Sequence, residues 1–161
     1  MTIYHITDWL GLVPIFCCMI YGAVGFVQLL QRKSLLKVDI DILLLGVYYV
    51  IVIFCYLIFE MIPINYRPIL IDGRMEVSYP SSTTLLVSSV MPTAIFQIDR
   101  RIITPSTILF SLFMLIGRTI AGVHWLTDII GSVFLSAGLF LIYYANVLRL
   151  DKKREEYRGI Q

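Results

Sequence analysis

Arginine, histidine and aspartate occur at short intervals where one apolar run ends and the next begins. Residues 117–128 read Gly-Arg-Thr-Ile-Ala-Gly-Val-His-Trp-Leu-Thr-Asp. If His124 and Asp128 lie four residues apart on one helix, they share a face, and the carboxylate can fix the tautomer of the imidazole. The free ring nitrogen is then available as a nucleophile or a base. A structural His–Asp contact at a helix start would show the same spacing, so both interpretations stay open.

A second candidate segment gathers hydroxyl side chains directly after a proline. Residues 79–87 read Tyr-Pro-Ser-Ser-Thr-Thr-Leu-Leu-Val. A helix that starts at Pro80 presents unpaired backbone amides to an anion. Ser81, Ser82 and Thr83 at that start could add hydrogen bonds to the same anion. Helix capping alone would also explain Ser81 or Ser82.

The composition places these segments in an integral membrane protein. Of the 161 residues, 58% are hydrophobic and 15% are charged, and the mean hydropathy is +0.84. A helix needs about 20 apolar residues to cross a bilayer, and five runs meet that need: Trp9–Leu30, Ile42–Ile62, Pro80–Ile98, Pro105–Val123 and Thr127–Leu148. Because a spanning segment must satisfy its own backbone hydrogen bonds, we predict an all-α membrane bundle, with residues 1–161 forming one domain.

The basic residues predict the orientation of this bundle. Of the 13 Lys and Arg residues, five crossings place ten on one side: Arg32, Lys33, Lys37, Arg100, Arg101, Arg149, Lys152, Lys153, Arg154 and Arg158. Arg67, Arg74 and Arg118 fall on the other side. By the positive-inside bias the ten face the cytoplasm, so the N-terminus and the loop Pro63–Tyr79 lie outside and the C-terminus lies inside. We therefore predict a plasma-membrane protein with an outward-facing site.

Ionisable residues that remain at the outer helix ends and loops are functional candidates, because they are costly near a membrane unless paired or used. They are Glu60, Arg67, Asp72, Arg74, Glu76, Arg118, His124 and Asp128. Any one of them could instead be merely interfacial. Cys17, Cys18 and Cys55 lie inside apolar runs without metal-ligand spacing, so we predict packing roles and no metal site. The net charge of +2 is what orientation requires and predicts no nucleic-acid partner.

At its third motif the chain resembles the type 2 phosphatidic acid phosphatase family. That motif reads Ser-Arg, five residues, His, three residues, Asp. Arg118, His124 and Asp128 match it at every spacing, with Gly117 in place of the Ser. The second motif, Pro-Ser-Gly-His, is matched in part by Pro-Ser-Ser-Thr at 80–83, and the first, Lys, six residues, Arg-Pro, by Arg67-Pro68.

The resemblance implies a metal-free phosphohydrolase without a cofactor, acting on a lipid phosphate or diphosphate at the outer membrane surface. It implies that His124 attacks phosphorus to form a phosphohistidine and that Asp128 orients it. Arg67 and Arg118 would clamp the phosphate oxygens, and Ser81 would donate a hydrogen bond. The rigid fork of donors on an arginine suits this task independently of any resemblance. Partners other than membrane lipids are not specified, and an oligomer is possible.

Two further departures bear on catalysis. Thr83 stands where the family has a His that protonates the leaving oxygen, and Glu60 stands where it has the first-motif Lys. A threonine hydroxyl cannot act as a general acid near neutral pH, and such acids contribute about 10² to 10⁴ in rate. Glu60 reverses a charge beside a bound phosphate. We predict that Arg74 replaces the lost lysine as a third phosphate contact and that Glu60 pairs with one of the arginines, although Asp72-Gly73-Arg74 also fits a simple polar turn.

Three functions from different classes are compatible with these residues. The first is an enzyme for substrates with good leaving groups, such as a polyprenyl or other lipid diphosphate, which need no acid. The second is a pseudoenzyme that binds, senses or transports a lipid phosphate. The third is an assembly subunit in which the motifs are relics. We favour the enzyme, because a phosphate binder gains little from an oriented neutral imidazole, whereas a nucleophile requires one.

Overall fold

The computed structural model describes residues 2–34, 37–71, 73–97 and 100–159. Six helices follow one another: α1 (Thr2–Leu10), α2 (Leu12–Arg32), α3 (Ile40–Met61), α4 (Ser82–Gln97), α5 (Arg100–Ala121) and α6 (Leu126–Gly159). Segments long and apolar enough to cross a membrane are Thr2–Arg32, Ile40–Met61, Ile103–Ala121 and Leu126–Tyr157. The predicted all-α membrane bundle is confirmed.

The first predicted run, Trp9–Leu30, corresponds to two helices, α1 and α2, and the helical structure begins earlier, at Thr2. The apolar signal begins at Trp9, but residues before it also form a helix, α1, and only a turn at Gly11 separates α1 from α2. Helix α1 packs against α5 as well as α2. The N-terminal residues are therefore part of the bundle.

Helix α4 is shorter than the predicted run Pro80–Ile98, and it is the buried element of the bundle. It packs against α2, α3, α5 and α6, and its apolar residues Leu85, Val87 and Val90 are at most 1% exposed. At 16 residues it spans roughly 24 Å. A helix that neighbours cover on all sides does not need the length or hydropathy of a lipid-facing span.

Hydroxyl side chains hold α4 tightly against α6. The Oγ of Ser132 accepts a hydrogen bond from the backbone amide of Ser81 at 2.9 Å, and Ser89 donates to the Oγ of Ser136 at 3.1 Å. All four serines are fully buried. Small residues let helices approach closely within a membrane, and hydroxyl pairs satisfy polar groups there. The hydroxyls of Ser89, Ser132 and Ser136 thus have a structural use between these two helices.

The connection between α3 and α4 folds back on itself beside the helix ends. The amide of Arg67 donates to the carbonyl of Glu76 at 3.0 Å, and the amide of Ser78 donates to the carbonyl of Asn65 at 2.9 Å. The connection therefore forms two antiparallel, strand-like segments that pair with each other. This pairing places Arg67 and Ser78 at the same end of the bundle as the starts of α4 and α6.

Candidate active site

A polar cavity of about 430 Å³ opens where these elements meet. It is lined by Tyr56, Glu60, Arg67, Met75, Glu76, Val77, Pro80, Ser82 and His124. Five of the candidate residues are thus brought together from separate stretches of sequence: Glu60, Arg67, Glu76, Ser82 and His124. Ser82 is the first residue of α4, whose first-turn amides have no partner within the helix.

Arg67 lies in the wall of this cavity with most of its donors unused. Its side chain is 13% exposed, and its Nη2 atom pairs with the carboxylate of Glu76 at 3.0 Å. The Nε and Nη1 atoms are buried and have no hydrogen-bond partner among the residues that the structure describes. Buried donors without a partner are costly. An anion in the cavity would satisfy them.

Arg118 is the second arginine with unused donors, and its side chain is 3% exposed. Its Nη2 atom donates to Asp8 at 3.0 Å and also to the hydroxyl of Thr83. Its Nε and Nη1 atoms are buried and lack a partner within the described part of the chain. Thr83 therefore contacts the arginine of the third motif, and it is not among the residues that line the cavity.

His124 and Asp128 do not share a helix face as predicted. Gly122, at φ 66°, follows the end of α5, and α6 begins only at Leu126, so His124 lies in the intervening turn. The Nδ1 atom of His124 donates to the carbonyl oxygen of Ser78 at 2.9 Å. The Ser78 hydroxyl in turn donates to Asp128. A backbone carbonyl therefore orients the imidazole, and Ser78 lies between His124 and Asp128.

This arrangement specifies both the tautomer and the charge of His124. Because a carbonyl can only accept, Nδ1 carries the proton and Nε2 keeps its lone pair. Burial and the positive charges of Arg67 and Arg118 lower the pKa of His124 to about 4, although Ser78 and Asp128 act in the opposite direction. The imidazole is therefore neutral at physiological pH, with a nucleophilic nitrogen on a residue that lines the cavity.

The remaining predicted residues occupy different positions. Ser81 is fully buried below the start of α4, where its hydroxyl accepts a hydrogen bond from Thr84 at 3.0 Å. Arg74 is exposed in a turn, with its backbone paired to Ile71, and it is not among the residues that line the cavity. Asp72, the other charge of that turn, lies outside the described residues. A phosphate contact of Arg74 stays a prediction to which the geometry adds no support.

The ion pair predicted for Glu60 is not formed within the described residues. The carboxylate paired with Arg67 is Glu76, because the antiparallel segments of the connection place these two residues opposite each other. Glu60, at the end of α3, lines the cavity nearby. Its carboxylate is hydrogen bonded to Tyr56 and lies in the cavity wall without an ion pair to a described residue.

Sequence reasoning missed three residues of the site: Asp8, Asn65 and Ser78. Asp8 holds Arg118, Ser78 joins His124 to Asp128, and the Asn65 amide approaches the Asp128 carboxylate at 3.4 Å. None of them belongs to a motif or has a characteristic spacing. The one available signal for Asp8 was that it is the first acidic residue of the sequence and that the next one is Asp39.

No cluster of three or more His, Cys, Asp or Glu side chains in the described ranges is arranged to hold a metal ion. The cavity wall offers Arg67, the neutral imidazole of His124 and the start of α4, and the buried Arg118 contacts Thr83, the residue after Ser82. Such a set binds an oxyanion and places a nitrogen nucleophile beside it. The fold and the cavity together define a helical bundle that carries a polar site with arginine donors at one end.

Comparison with known families identifies this class. A family model for the PAP2 superfamily matches residues 16–152, and the chain belongs to that superfamily. The match covers α3 to α5 entirely and most of α2 and α6, but not α1. Membership implies phosphatase-type activity on phosphate esters. No curated protein and no solved structure gives a significant match.

Proposed function

We propose that the protein is a phosphohydrolase for lipid diphosphates or phosphates, acting through a phosphohistidine on His124. The observation that carries this proposal is the pair of buried arginines, Arg67 and Arg118, each with two unpartnered nitrogens. Arg67 lines the same cavity as His124, and Arg118 contacts Thr83, the residue after Ser82 in the cavity wall. They would hold a phosphoryl group while Nε2 attacks it.

The reaction takes two displacements at phosphorus. Nε2 of His124 donates its lone pair to phosphorus, and the bond to the leaving oxygen breaks with its electron pair. Water then attacks the phosphorus, the P–N bond breaks, and inorganic phosphate leaves. Ser78 keeps Nδ1 as the donor throughout, so the imidazolium of the phosphohistidine stays hydrogen bonded. The nearby carboxylate of Asp128 stabilises that positive charge.

The leaving group decides which lipid is turned over. The position at which the family has an acid is taken by Thr83, whose hydroxyl is engaged by Arg118. A lipid diphosphate expels a phosphate with a pKa of roughly 6, which needs no proton. A monophosphate ester expels an alkoxide, nearly as basic as hydroxide (water pKa about 15.7), which does. We therefore propose that diphosphates are the better substrates.

An apolar cavity beside the polar one supports a lipid substrate. It has a volume of about 230 Å³ and is lined by Val52, Ile53, Tyr56, Ser82, Leu85 and Leu86. Tyr56 and Ser82 line both cavities. A molecule whose phosphate lies near His124 would thus have an apolar space for its first carbons, between α3 and α4.

The alternative is a degenerate binder that holds a lipid phosphate without turnover. The observation that favours it is the negative charge in the wall of the cavity, where Glu60 and Glu76 accompany a single arginine, Arg67. A binder and an enzyme share the arginines. They differ in whether phosphorus becomes bonded to His124.

Phosphate release by the purified full chain in detergent, with EDTA present, separates the two. Matched pairs of lipid mono- and diphosphates with the same tail are supplied, and the phosphoenzyme is trapped at alkaline pH. We expect release from the diphosphate, and its loss in His124→Gln but not in His5→Gln, which removes the other histidine of the chain. Binding of the diphosphate without release or phosphoenzyme would establish the binder instead.

A further inference from the structure

Helix α1 reaches the phosphate site, although it precedes the part of the chain that matches the family. Asp8 in α1 pairs with Nη2 of Arg118 at 3.0 Å, and the ring of Tyr4 lies 5.2 Å from the Cζ atom of the same guanidinium. The same Nη2 atom also donates to the hydroxyl of Thr83 in α4. The neighbours of Arg118 thus engage one nitrogen and leave the other two unpartnered among the described residues.

The fit between α1 and α5 depends on the absence of a side chain at Gly117. A Cβ atom at Gly117 would lie 2.6 Å from Cγ2 of Thr7, closer than side-chain atoms approach each other. Thr7 is fully buried, and its hydroxyl donates to the carbonyls of Ile3 and Tyr4 within α1. Gly117 directly precedes Arg118, so the space it leaves open is what brings α1 to that arginine.

The N-terminal segment also lies close to α4, at Gly11. A Cβ atom at Gly11 would lie 3.1 Å from Cγ2 of Thr83. Gly117 and Thr83, two positions that depart from the motifs, therefore both lie against the N-terminal segment. The departure at Gly117 is explained by the space that Thr7 of α1 occupies.

We propose that Asp8 is a positioning residue, which holds Arg118 so that its free Nε and Nη1 atoms face the phosphate. The inference rests on the proposed function of this site. An arginine side chain has several rotatable bonds, and fixing one nitrogen by a carboxylate reduces the freedom lost when a ligand binds. Asp8 itself does not touch the phosphate in this arrangement.

The contact between Asp8 and Arg118 could also have a competing role, in which removal of Asp8 has the opposite effect on anion affinity. If Asp8 only occupied Arg118 in place of the ligand, its removal would strengthen anion binding. If Asp8 positions Arg118, its removal weakens binding. Affinity for an anion therefore distinguishes the two without requiring turnover.

The test is calorimetric titration of the full chain in detergent with inorganic phosphate as the probe. We expect Asp8→Ala to weaken binding about tenfold, as for a lost hydrogen bond to a charged group. Asp8→Asn, which keeps an acceptor oxygen, should retain most of the affinity. Asp41→Ala removes a similar carboxylate from Arg154, at 2.9 Å, at the opposite end of the bundle, and should leave binding unchanged.

A double-mutant cycle shows whether Asp8 acts through Arg118. Asp8→Ala should add no further loss to Arg118→Ala, because its partner is already absent. Unchanged or tighter binding by Asp8→Ala, while Arg118→Ala weakens binding, would overturn the positioning role alone. Unchanged binding by Arg118→Ala would overturn the proposed function of the site.

A second route tests the position of α1 without altering Asp8. Gly117→Ala should displace Thr7, and with it Asp8, and weaken phosphate binding by a similar factor. Thr7→Ser removes Cγ2 but keeps the hydroxyl, so the double variant should recover affinity. Full affinity of Gly117→Ala alone, with Asp8→Ala also unaffected, would contradict the proposal.

Discussion

The backbone of Ser78 holds the ring of His124: the carbonyl oxygen of Ser78 lies 2.9 Å from Nδ1 of the imidazole. The same serine donates its hydroxyl to Asp128. A backbone carbonyl is a fixed acceptor, so the tautomer of His124 does not depend on the ionisation of a carboxylate. Asp128 then acts on the charge of the imidazole more than on its orientation.

Replacement of Ser78 by alanine tests this division of roles. Ser78→Ala keeps the carbonyl that orients His124 but removes the bond to Asp128. We expect the rate to fall by less than in Asp128→Ala, because only the second variant removes the negative charge that stabilises the imidazolium. Single-turnover kinetics with a lipid diphosphate measure both rates. Equal losses would show that Asp128 acts solely through the serine hydroxyl.

The pH dependence of His124 follows from its surroundings. Burial, Arg67 and Arg118 lower its pKa to about 4 from the ordinary 6.5. The unfolded chain therefore takes up a proton more readily than the folded protein between these values, and the contribution of His124 to stability falls as the pH drops from about 6.5 to about 4. NMR titration of the imidazole in the His5→Gln variant measures this pKa directly.

The same titration identifies the part played by Arg67. Arg67→Gln removes a positive charge that disfavours the imidazolium, so the pKa of His124 should rise. Arg74→Gln removes an exposed arginine away from the cavity and is the matched control. A pKa near 6.5 in the unaltered site would mean that His124 is open to water. No change in Arg67→Gln would place Arg67 too far away to act on it.

Glu60 should oppose phosphate binding, because its charge lines the cavity without an ion pair to a described arginine. Glu60→Gln is expected to tighten binding of inorganic phosphate by roughly 1 kcal/mol, or about fivefold. Glu60→Lys, which restores the first-motif lysine, should tighten it further. Titration of both variants at two salt concentrations measures the effect, which should shrink as salt screens it. Weaker binding in Glu60→Gln would mean that Glu60 supports the site instead.

The orientation in the membrane is tested by accessible cysteines. In a chain whose three native cysteines are replaced, Arg74→Cys and Lys37→Cys place single thiols at opposite ends of the bundle. An impermeant maleimide should label position 74 in intact cells and position 37 only after permeabilisation, because the basic residues cluster at the Lys37 end. The reverse pattern would place the site in the cytoplasm.

Local sequence determined the class of this protein. Apolar runs of spanning length predicted a helical bundle, because a bilayer leaves no other partner for the backbone. The match of Arg118, His124 and Asp128 to the third motif of the family predicted phosphate chemistry through that resemblance. Five of the candidate residues do line one cavity.

Only the tertiary structure decided how those residues are held. Ser78 fixes His124 because the α3–α4 connection pairs with itself, and Asp8 reaches Arg118 across 110 residues of sequence because Gly117 leaves room for α1. These contacts join residues that are far apart in the sequence, so no local pattern predicts them. The roles of the hydroxyls after Pro80 were also decided by the tertiary structure. They were predicted to meet phosphate, yet the Ser81 hydroxyl is buried and accepts a hydrogen bond from Thr84 within α4, because a buried polar atom needs a partner inside the protein.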